Sequence, residues 1–313
     1  MANPRIATVT LNPAIDETAA IPHFRVGEVN RVDWSQLDPG GKGVNVASFL
    51  SDFGFGVSAT GFLGNENAKL FRTLFALKGI ADRFVLIPGQ TRINFKIIDE
   101  ALEQVTDINF PGQTPVPDEL AMLHRVIDEL AIAHDWFVLG GSLPVGVPED
   151  IYYEITLRLK AQNKTVVLDA SGPSFKHAIA ASPYAIKPNL EELEELLGTT
   201  LTNEMEVVSA ARELVQQGIT CVTVSMGPKG AIFVEADEAV WAIPPHVEIV
   251  STVGAGDAIV SGLITGILHG QSLSDRAQLA TGFSMGALTQ LGPRLPSVAT
   301  IEDFAKMVTL KPL

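Results

Sequence analysis

The sequence predicts an α/β protein built around one large domain. Apolar segments of strand length alternate with helical segments along most of the 313 residues, a rhythm typical of a parallel sheet covered by helices. Several predicted strands end in glycine-rich turns, and ligands bind at such strand ends in open α/β sheets. Two segments without a helical period, about 12–40 and 90–111, interrupt the rhythm. We expect them to pair into a small separate sheet over the site.

The composition favours an enzyme and argues against several other classes. Hydrophobic residues make up 46% of the chain, enough for a large core. The formal net charge of −14 argues against a nucleic-acid partner, which would need a basic face, and requires a local group of cations for any anionic substrate. Cys221 is the only cysteine, so neither disulfides nor a thiolate metal site is expected. No segment is apolar enough to span a membrane and the start lacks a signal peptide, so we expect a cytoplasmic location.

The first predicted strand, residues 6–11, leads into Asn12-Pro13-Ala14-Ile15-Asp16. Asp16 is therefore expected just past the carboxyl end of this strand, where a ligand would meet it. No G-x-G-x-x-G pattern follows the strand, which argues against a dinucleotide site and a dinucleotide-dependent oxidoreductase.

A glycine-rich turn, residues 39–43, precedes a predicted helix that ends near Phe53. Lys42 lies among the glycines and Asn45 in the early turns of the helix. The spacing of a P-loop is absent. The segment is either a backbone nest that grips hydroxyls or a phosphate, or a tight strand-to-helix turn.

In the second β-rich segment, Arg92, Asn94 and Lys96 alternate with apolar residues. Their side chains therefore share one face of a predicted strand. A solvated face would explain the alternation, and a guanidinium close to an amide would also suit a sugar phosphate.

Two further turns follow predicted strands of the core. Gly140-Gly141-Ser142 comes after residues 135–139, and Met226-Gly227-Pro228-Lys229-Gly230 after a strand that ends at Ser225. Between them, Asn189 can cap a very acidic helix that Gly198 stops. Asn189 and Glu192 have the spacing of a capping box, and the alternative is that one glutamate of this helix faces a hydrated Mg²⁺.

The segment Ser251-Thr252-Val253-Gly254-Ala255-Gly256-Asp257 runs from a glycine-rich loop into an apolar helix. Glycines at a helix start let backbone N–H groups converge, and the helix N-terminus adds a partial positive charge. Such a place holds an anion, and a carboxylate in the first turn stays ionised. An anion cradle beside a carboxylate suits phosphoryl transfer, whereas the alternative is a plain cap of a buried helix.

Five motifs in order resemble the PfkB carbohydrate kinase family. Residues 39–47 are similar to its first signature and residues 251–257 to its second. The motifs between them are Gly141-Ser142-Leu143-Pro144, Lys187-Pro188-Asn189-Leu190-Glu191-Glu192 and Ser225-Met226-Gly227-Pro228-Lys229-Gly230. The resemblance implies a ribokinase-like three-layer α/β/α sandwich with a small β-sheet lid. The core would comprise 1–11, 41–89 and 112–313, and the lid 12–40 and 90–111.

The resemblance also implies the chemistry. Asp257 would be the base that takes the proton of the sugar hydroxyl, and the amides of Gly254, Ala255 and Gly256 would form the anion hole. Asp16 and Asn45 would bind the sugar hydroxyls, and Gly40, Gly41, Lys42 and Ser142 would line the same site. Arg92, with Asn94 and Lys42, would hold the phosphate that the sugar already carries. The nucleotide ATP would be bound by Lys187, Asn189, Ser225, Gly227 and Gly230. Asn189 and Glu192 would order Mg²⁺ through water.

Residues 91–96 and 105–110 look most like the bacterial branch that phosphorylates fructose 1-phosphate. Related branches that act on tagatose 6-phosphate or fructose 6-phosphate share most of these motifs. A sugar-phosphate-binding sensor without turnover is a further alternative, and a homodimer through the lid is expected from the family. Two departures stand out: Ser251 occupies a position where many relatives carry Asp, and residues 281–284 offer no clear contact for adenine.

Overall fold

An eleven-stranded sheet forms the middle layer of the computed structural model, which describes residues 5–102 and 104–313. The first four residues, on which the expectation about a leader segment partly rests, lie outside the described residues. The strands are β1 (Arg5–Thr10), β2 (Ala14–Ala20), β3 (Trp34–Gly40), β4 (Gly56–Gly64), β5 (Ala81–Asp82), β6 (Val85–Ile87), β7 (Ile93–Asp99), β8 (Gln104–Ile108), β9 (Trp136–Gly140), β10 (Thr165–Asp169), β11 (Ala185–Ile186), β12 (Cys221–Ser225), β13 (Ala231–Val234), β14 (Ala239–Ile243) and β15 (Thr309–Pro312).

The large sheet has the strand order β15-β14-β13-β12-β11-β10-β9-β1-β4-β5, with β6 also paired to β4. The pairings from β12 through β11, β10, β9, β1 and β4 to β5 are parallel. The pairings among β12, β13, β14 and β15 are antiparallel. Because the neighbours from β12 to β4 are parallel, their carboxyl ends meet at one edge of the sheet.

Helices cover both faces of this sheet. The helices are α1 (Lys42–Asp52), α2 (Lys69–Lys78), α3 (Pro117–Ala133), α4 (Ile151–Lys160), α5 (Gly172–Ile179), α6 (Leu190–Leu197), α7 (Glu204–Gln216), α8 (Ala255–Leu268), α9 (Leu273–Leu288) and α10 (Val298–Met307). One apolar cluster packs α3 to α7 on the first face, and another packs α1, α2, α8 and α9 on the second. The predicted three-layer α/β/α sandwich is therefore confirmed.

Strands β3, β2, β7 and β8 form a separate four-stranded sheet, which we call the small sheet. All four lie within the two segments that interrupt the α/β rhythm of the sequence. Strand β2 pairs antiparallel to β3 and parallel to β7, and β7 pairs antiparallel to β8.

Asp16 follows the carboxyl end of β1, as expected, and lies within β2. The short Asn12-Pro13 turn ends β1, and the chain enters the small sheet at once. The structure also contains α10 and β15 after α9, two elements that no motif of the sequence indicated. Helix α10 buries only Ile301 fully.

No helix within the described ranges combines the length and the apolar character that crossing a membrane requires.

Candidate active site

A cleft of about 500 Å³ separates the small sheet from the carboxyl edge of the large sheet. Its lining residues are Asn12, Ala14, Asp16, Gly41, Lys42, Asn45, Arg92, Asn94, Phe95, Lys96, Asp107, Asn109, Gly141, Ser142, Ser171, Thr252, Val253, Gly254, Gly256 and Asp257. The cleft thus brings together both glycine-rich helix starts and the polar face of β7.

The N-terminus of α8 points its first turn at this cleft. Gly254 is the N-cap and has a φ of 79°, in the left-handed region that favours glycine. Gly254 has no side chain that could cap the helix, and the backbone N–H of Ala255 donates a long hydrogen bond of 3.4 Å to the carbonyl of Thr252. Ala255 and Gly256 are the first two residues of the helix. The anion cradle at these residues stays a prediction.

Asp257 is buried in the first turn of α8, with 6% of its surface exposed. Its Oδ2 accepts a hydrogen bond of 2.7 Å from Asn45 Nδ2, and its Oδ1 lies 3.7 Å from Lys42 Nζ. Both partners belong to the first two turns of α1. Burial raises the pKa of Asp257, and the charge of Lys42 opposes this increase. An aspartate with a raised pKa at a cleft is a candidate general base.

Asp169, at the end of β10, forms ion pairs with two lysines beneath the cleft. Its Oδ2 lies 3.1 Å from Lys42 Nζ and its Oδ1 lies 3.3 Å from Lys187 Nζ. Burial acts to lower the pKa of Lys42, but the charges of Asp169 and Asp257 outweigh it, so the pKa lies above its usual range. Lys42 therefore stays protonated. The sequence analysis assigned no role to Asp169, although its place at the end of a buried strand was a signal.

The small sheet contributes Asp16, whose Oδ1 accepts a 3.1 Å hydrogen bond from Asn94 Nδ2. Asn94 Oδ1 in turn accepts from the backbone N–H of Phe110. A Cβ on Gly40 would lie 2.2 Å from Asp16 Oδ2, so glycine is needed where β3 passes this carboxylate. Burial raises the pKa of Asp16, while the hydrogen bond from Asn94 and the charge of Arg92 lower it.

Arg92 ties the small sheet to the loop after β1. Its guanidinium donates to the backbone carbonyls of Pro13 at 3.3 Å, Phe110 at 2.9 Å and Asn12 at 2.8 Å. Burial lowers the pKa of Arg92. The side chain thus lines the cleft while it also holds the ends of the small sheet, a second role that the alternation of polar residues could not predict.

Ser142 faces the same cleft after β9. Its Oγ accepts a 3.2 Å hydrogen bond from Asn12 Nδ2, which fixes the turn to the end of β1. Asn12 and Asn109 also line the cleft, and the sequence analysis identified neither. Their types are common in turns, so the sequence alone gave no reason to select them.

The predicted nucleotide residues lie at the ends of β11 and β12. Asn189 and Ser225 form an isolated parallel bridge, which brings the two turns side by side. The predicted capping box is present: Asn189 Oδ1 accepts from the N–H of Glu192, and Glu192 Oε2 accepts from the N–H of Asn189. Gly227 and Gly230 bound the 3₁₀ turn Gly227–Lys229 between β12 and β13.

Lys187 connects this region to the helix start. It is 4% exposed, and its Nζ would lie 3.4 Å from a Cβ on Gly256. The lysine therefore lies beneath the first turn of α8, where its charge adds to that of the helix N-terminus.

The donor set near α6 fits a hydrated magnesium ion. Oε2 of Glu192 accepts the capping hydrogen bond, so Oε1 is left to contact a water of the hydrated ion. Mg²⁺ prefers hard oxygen ligands of this kind. The described residues contain no group of three or more His, Cys, Asp or Glu placed to hold a metal. Waters and phosphate oxygens would have to complete the coordination of an ion at this place.

Comparisons with known proteins agree with this geometry. The profile of the pfkB family carbohydrate kinases matches residues 9–300. A 1-phosphofructokinase from Rhodobacter capsulatus is 48% identical over 310 residues, which cover 99% of this chain and 98% of that protein. A possible 1-phosphofructokinase from Thermotoga maritima superposes with a TM-score of 0.89 at 28% identity, with 99% of each chain covered.

The phosphofructokinase-2 of Escherichia coli, solved in complex with substrates and products, also has a TM-score of 0.89. Its identity is 28%, and the match covers 96% of this chain and 98% of that one. The family profile and the first of these relatives extend over nearly the whole chain, including both glycine-rich helix starts and the small sheet. The chain belongs to the pfkB family of carbohydrate kinases.

Proposed function

We propose that this kinase transfers the γ-phosphoryl group of ATP to fructose 1-phosphate and forms fructose 1,6-bisphosphate. The observation that carries the proposal is the buried Asp257 in the first turn of α8, bonded to Asn45 and 3.7 Å from Lys42. The choice of sugar is supported by the 1-phosphofructokinase that is 48% identical over nearly the whole chain.

In the proposed reaction, Asp257 accepts the proton of the sugar hydroxyl as that oxygen attacks the γ-phosphorus. The bond from phosphorus to the leaving oxygen of ADP breaks as the new one forms. Charge that develops on the transferred group is stabilised by the amides of Gly254, Ala255 and Gly256. Lys42 stays protonated between Asp169 and Asp257 and adds a fixed positive charge at the same place.

The sugar is held from both sides of the cleft. Asp16 and Asn45 bind its hydroxyls, and Gly40 and Gly41 let the backbone approach it. Ser142, Asn94 and Arg92 provide further polar contacts at the cleft wall. Closure of the small sheet over the sugar would exclude water, so that the phosphoryl group goes to the hydroxyl and is not lost to hydrolysis.

The phosphates of ATP lie along the turns that Ser225, Gly227 and Gly230 form, with Lys187 near the transferred group. Asn189 and Glu192 would hold Mg²⁺ through water. When bound, the ion neutralises phosphate charge during transfer.

A homodimer through the small sheet is part of the proposal. Val26 and Val29 in the loop between β2 and β3 are 92% and 89% exposed, and Val105 and Ile108 on β8 are also exposed. All four belong to the small sheet or to the loop that joins two of its strands, and exposed large apolar side chains are typical of interaction surfaces. The cytoplasmic location stays a prediction.

The proposed function is tested by ADP release with Mg-ATP and, in parallel, fructose 1-phosphate, fructose 6-phosphate and tagatose 6-phosphate. We expect kcat/KM for fructose 1-phosphate to exceed the others by at least about 100-fold, the scale that a few polar contacts can supply. A preference for a 6-phosphate would overturn the assigned sugar. The absence of ADP release with every sugar would overturn the activity.

Replacing Arg92 by alanine should raise KM for the sugar phosphate about 10- to 100-fold and change kcat less, since a charged hydrogen bond is worth about 1.5–3 kcal/mol. Because Arg92 also binds three carbonyls, unfolding should be followed alongside. Arg72→Ala on the exposed face of α2 is the matched control. An unchanged sugar KM in a folded Arg92 variant would remove this residue from the sugar site.

The pH dependence of kcat should show a loss of activity on the acid side, because the base must be ionised. Burial raises the pKa of Asp257, so this loss should begin at a higher pH than an exposed aspartate would give. A profile of kcat against pH at saturating substrate checks this. An acid limb at the ordinary pKa of aspartate, about 4, would contradict the buried base.

A further inference from the structure

Three cations line the cleft within the described residues: Lys42, Arg92 and Lys96. Two of them are already held by several partners. Lys42 lies between the carboxylates of Asp169 and Asp257, and Arg92 donates to three backbone carbonyls. A substrate phosphate would have to share these cations with groups that fix the architecture of the site.

Lys96 differs from both. Its Nζ lies 2.5 Å from Asp107 Oδ1, and Asp107 lines the same cleft from the neighbouring strand β8. The side chain of Lys96 is 14% exposed, whereas that of Asp107 is 53% exposed. The ammonium is therefore fixed in the cleft wall, and its partner is a solvated carboxylate on an edge strand that can turn away at small cost.

The strand register places Lys96 at a defined distance from the sugar hydroxyl site. Asn94 is paired with Asp16, and Lys96, two residues further along β7, is paired with Thr18. Residues two apart on a strand share a face and lie roughly 7 Å apart. That separation is comparable to the length of a hexose. The charge of Lys96 also acts on Asp16, which agrees with their closeness.

We propose that Lys96 binds the phosphate that the sugar already carries, and that Asp107 occupies the ammonium until the sugar phosphate displaces it. The inference rests on the proposed function and deepens it. One end of the sugar presents its hydroxyl to Asp257, the middle contacts Asp16 and Asn94, and the phosphate at the other end reaches Lys96. A sugar without a phosphate leaves this ion pair in place and gains no binding from Lys96.

The two halves of this ion pair should act in opposite directions. Lys96→Met should weaken binding of fructose 1-phosphate about 10- to 100-fold, the effect of a lost charge-assisted hydrogen bond. Asp107→Asn should strengthen it about two- to fivefold, because an exposed ion pair no longer competes. Isothermal titration of each folded protein with fructose 1-phosphate measures both effects without turnover, and steady-state KM measures them again in the assay.

Lys306→Met and Asp303→Asn are matched controls, since they break an exposed lysine–aspartate pair of 2.8 Å on α10. Neither should change binding of the sugar. If Lys96→Met and Asp107→Asn weaken binding equally, the pair only stabilises the small sheet and the proposal is wrong. It is also wrong if Lys96→Met leaves the affinity unchanged. The wild-type protein is assayed in parallel. If it phosphorylates fructose 1-phosphate, the proposed function stands even when the proposal for Lys96 is wrong.

Discussion

Replacing Asp257 by asparagine should lower kcat by about 10²- to 10⁴-fold, the usual contribution of a positioned general base. The amide keeps the shape of the carboxylate and can still accept from Asn45 Nδ2 through its oxygen. Lys42 keeps Asp169 as a partner. Because the anion hole and the sugar contacts remain, KM for both substrates should change much less than kcat. Steady-state kinetics with fructose 1-phosphate and Mg-ATP check this.

The same substitution should leave the fold intact or make it more stable at neutral pH. Burial raises the pKa of Asp257, so the folded state disfavours its charged form above the pKa of the unfolded chain. A neutral amide removes this penalty, and Tm should therefore stay the same or rise. The control Asp303→Asn, on the exposed face of α10, should change neither kcat nor Tm. A variant of Asp257 with near wild-type kcat would remove it as the base.

A loss of kcat without a loss of Tm is typical of a residue retained for chemistry and not for stability. A structural carboxylate would lose stability together with activity. The combined measurement therefore separates a base from a carboxylate that only holds the first turn of α8 in place.

Local signals in the sequence predicted the parts of this site that depend on neighbours in the chain. The capping box of Asn189 and Glu192 and the glycine-rich start of α8 at Gly254 can be identified within a few residues, because caps and helix starts are local structures. The two β-rich segments were also recognisable, since they interrupt a regular α/β pattern.

Contacts between distant segments could not be predicted in the same way. Asp169 is one of several strand-end carboxylates, and its partner Lys42 is 127 residues away in the chain. The end of β10 lies beside the start of α1 because of the order of the strands in the sheet. That order cannot be read from local sequence patterns. The three carbonyl bonds of Arg92 likewise depend on where the Asn12-Pro13 turn and the end of the small sheet meet.

Asp169 is also where the largest loss of stability is expected. Its carboxylate is buried, with 1% of the residue exposed, and it is 3.3 Å from a lysine, Lys187, that is 4% exposed. A buried ion pair contributes little compared with apolar packing, but removal of one partner leaves the other charge buried without compensation. Asp257 remains near Lys42, so Lys187 carries most of the cost.

Asp169→Asn should therefore lower the free energy of unfolding by about 3–5 kcal/mol, measured by urea denaturation. Asp135→Asn, which breaks an exposed pair with Lys164 at 3.5 Å, should cost less than about 1 kcal/mol. The double variant Asp169→Leu with Lys187→Met should recover much of the loss, because a neutral apolar pair leaves no unpaired charge. A loss below about 1 kcal/mol for Asp169→Asn alone would mean that water already compensates Lys187. In that case packing would hold the two lysines at the helix start.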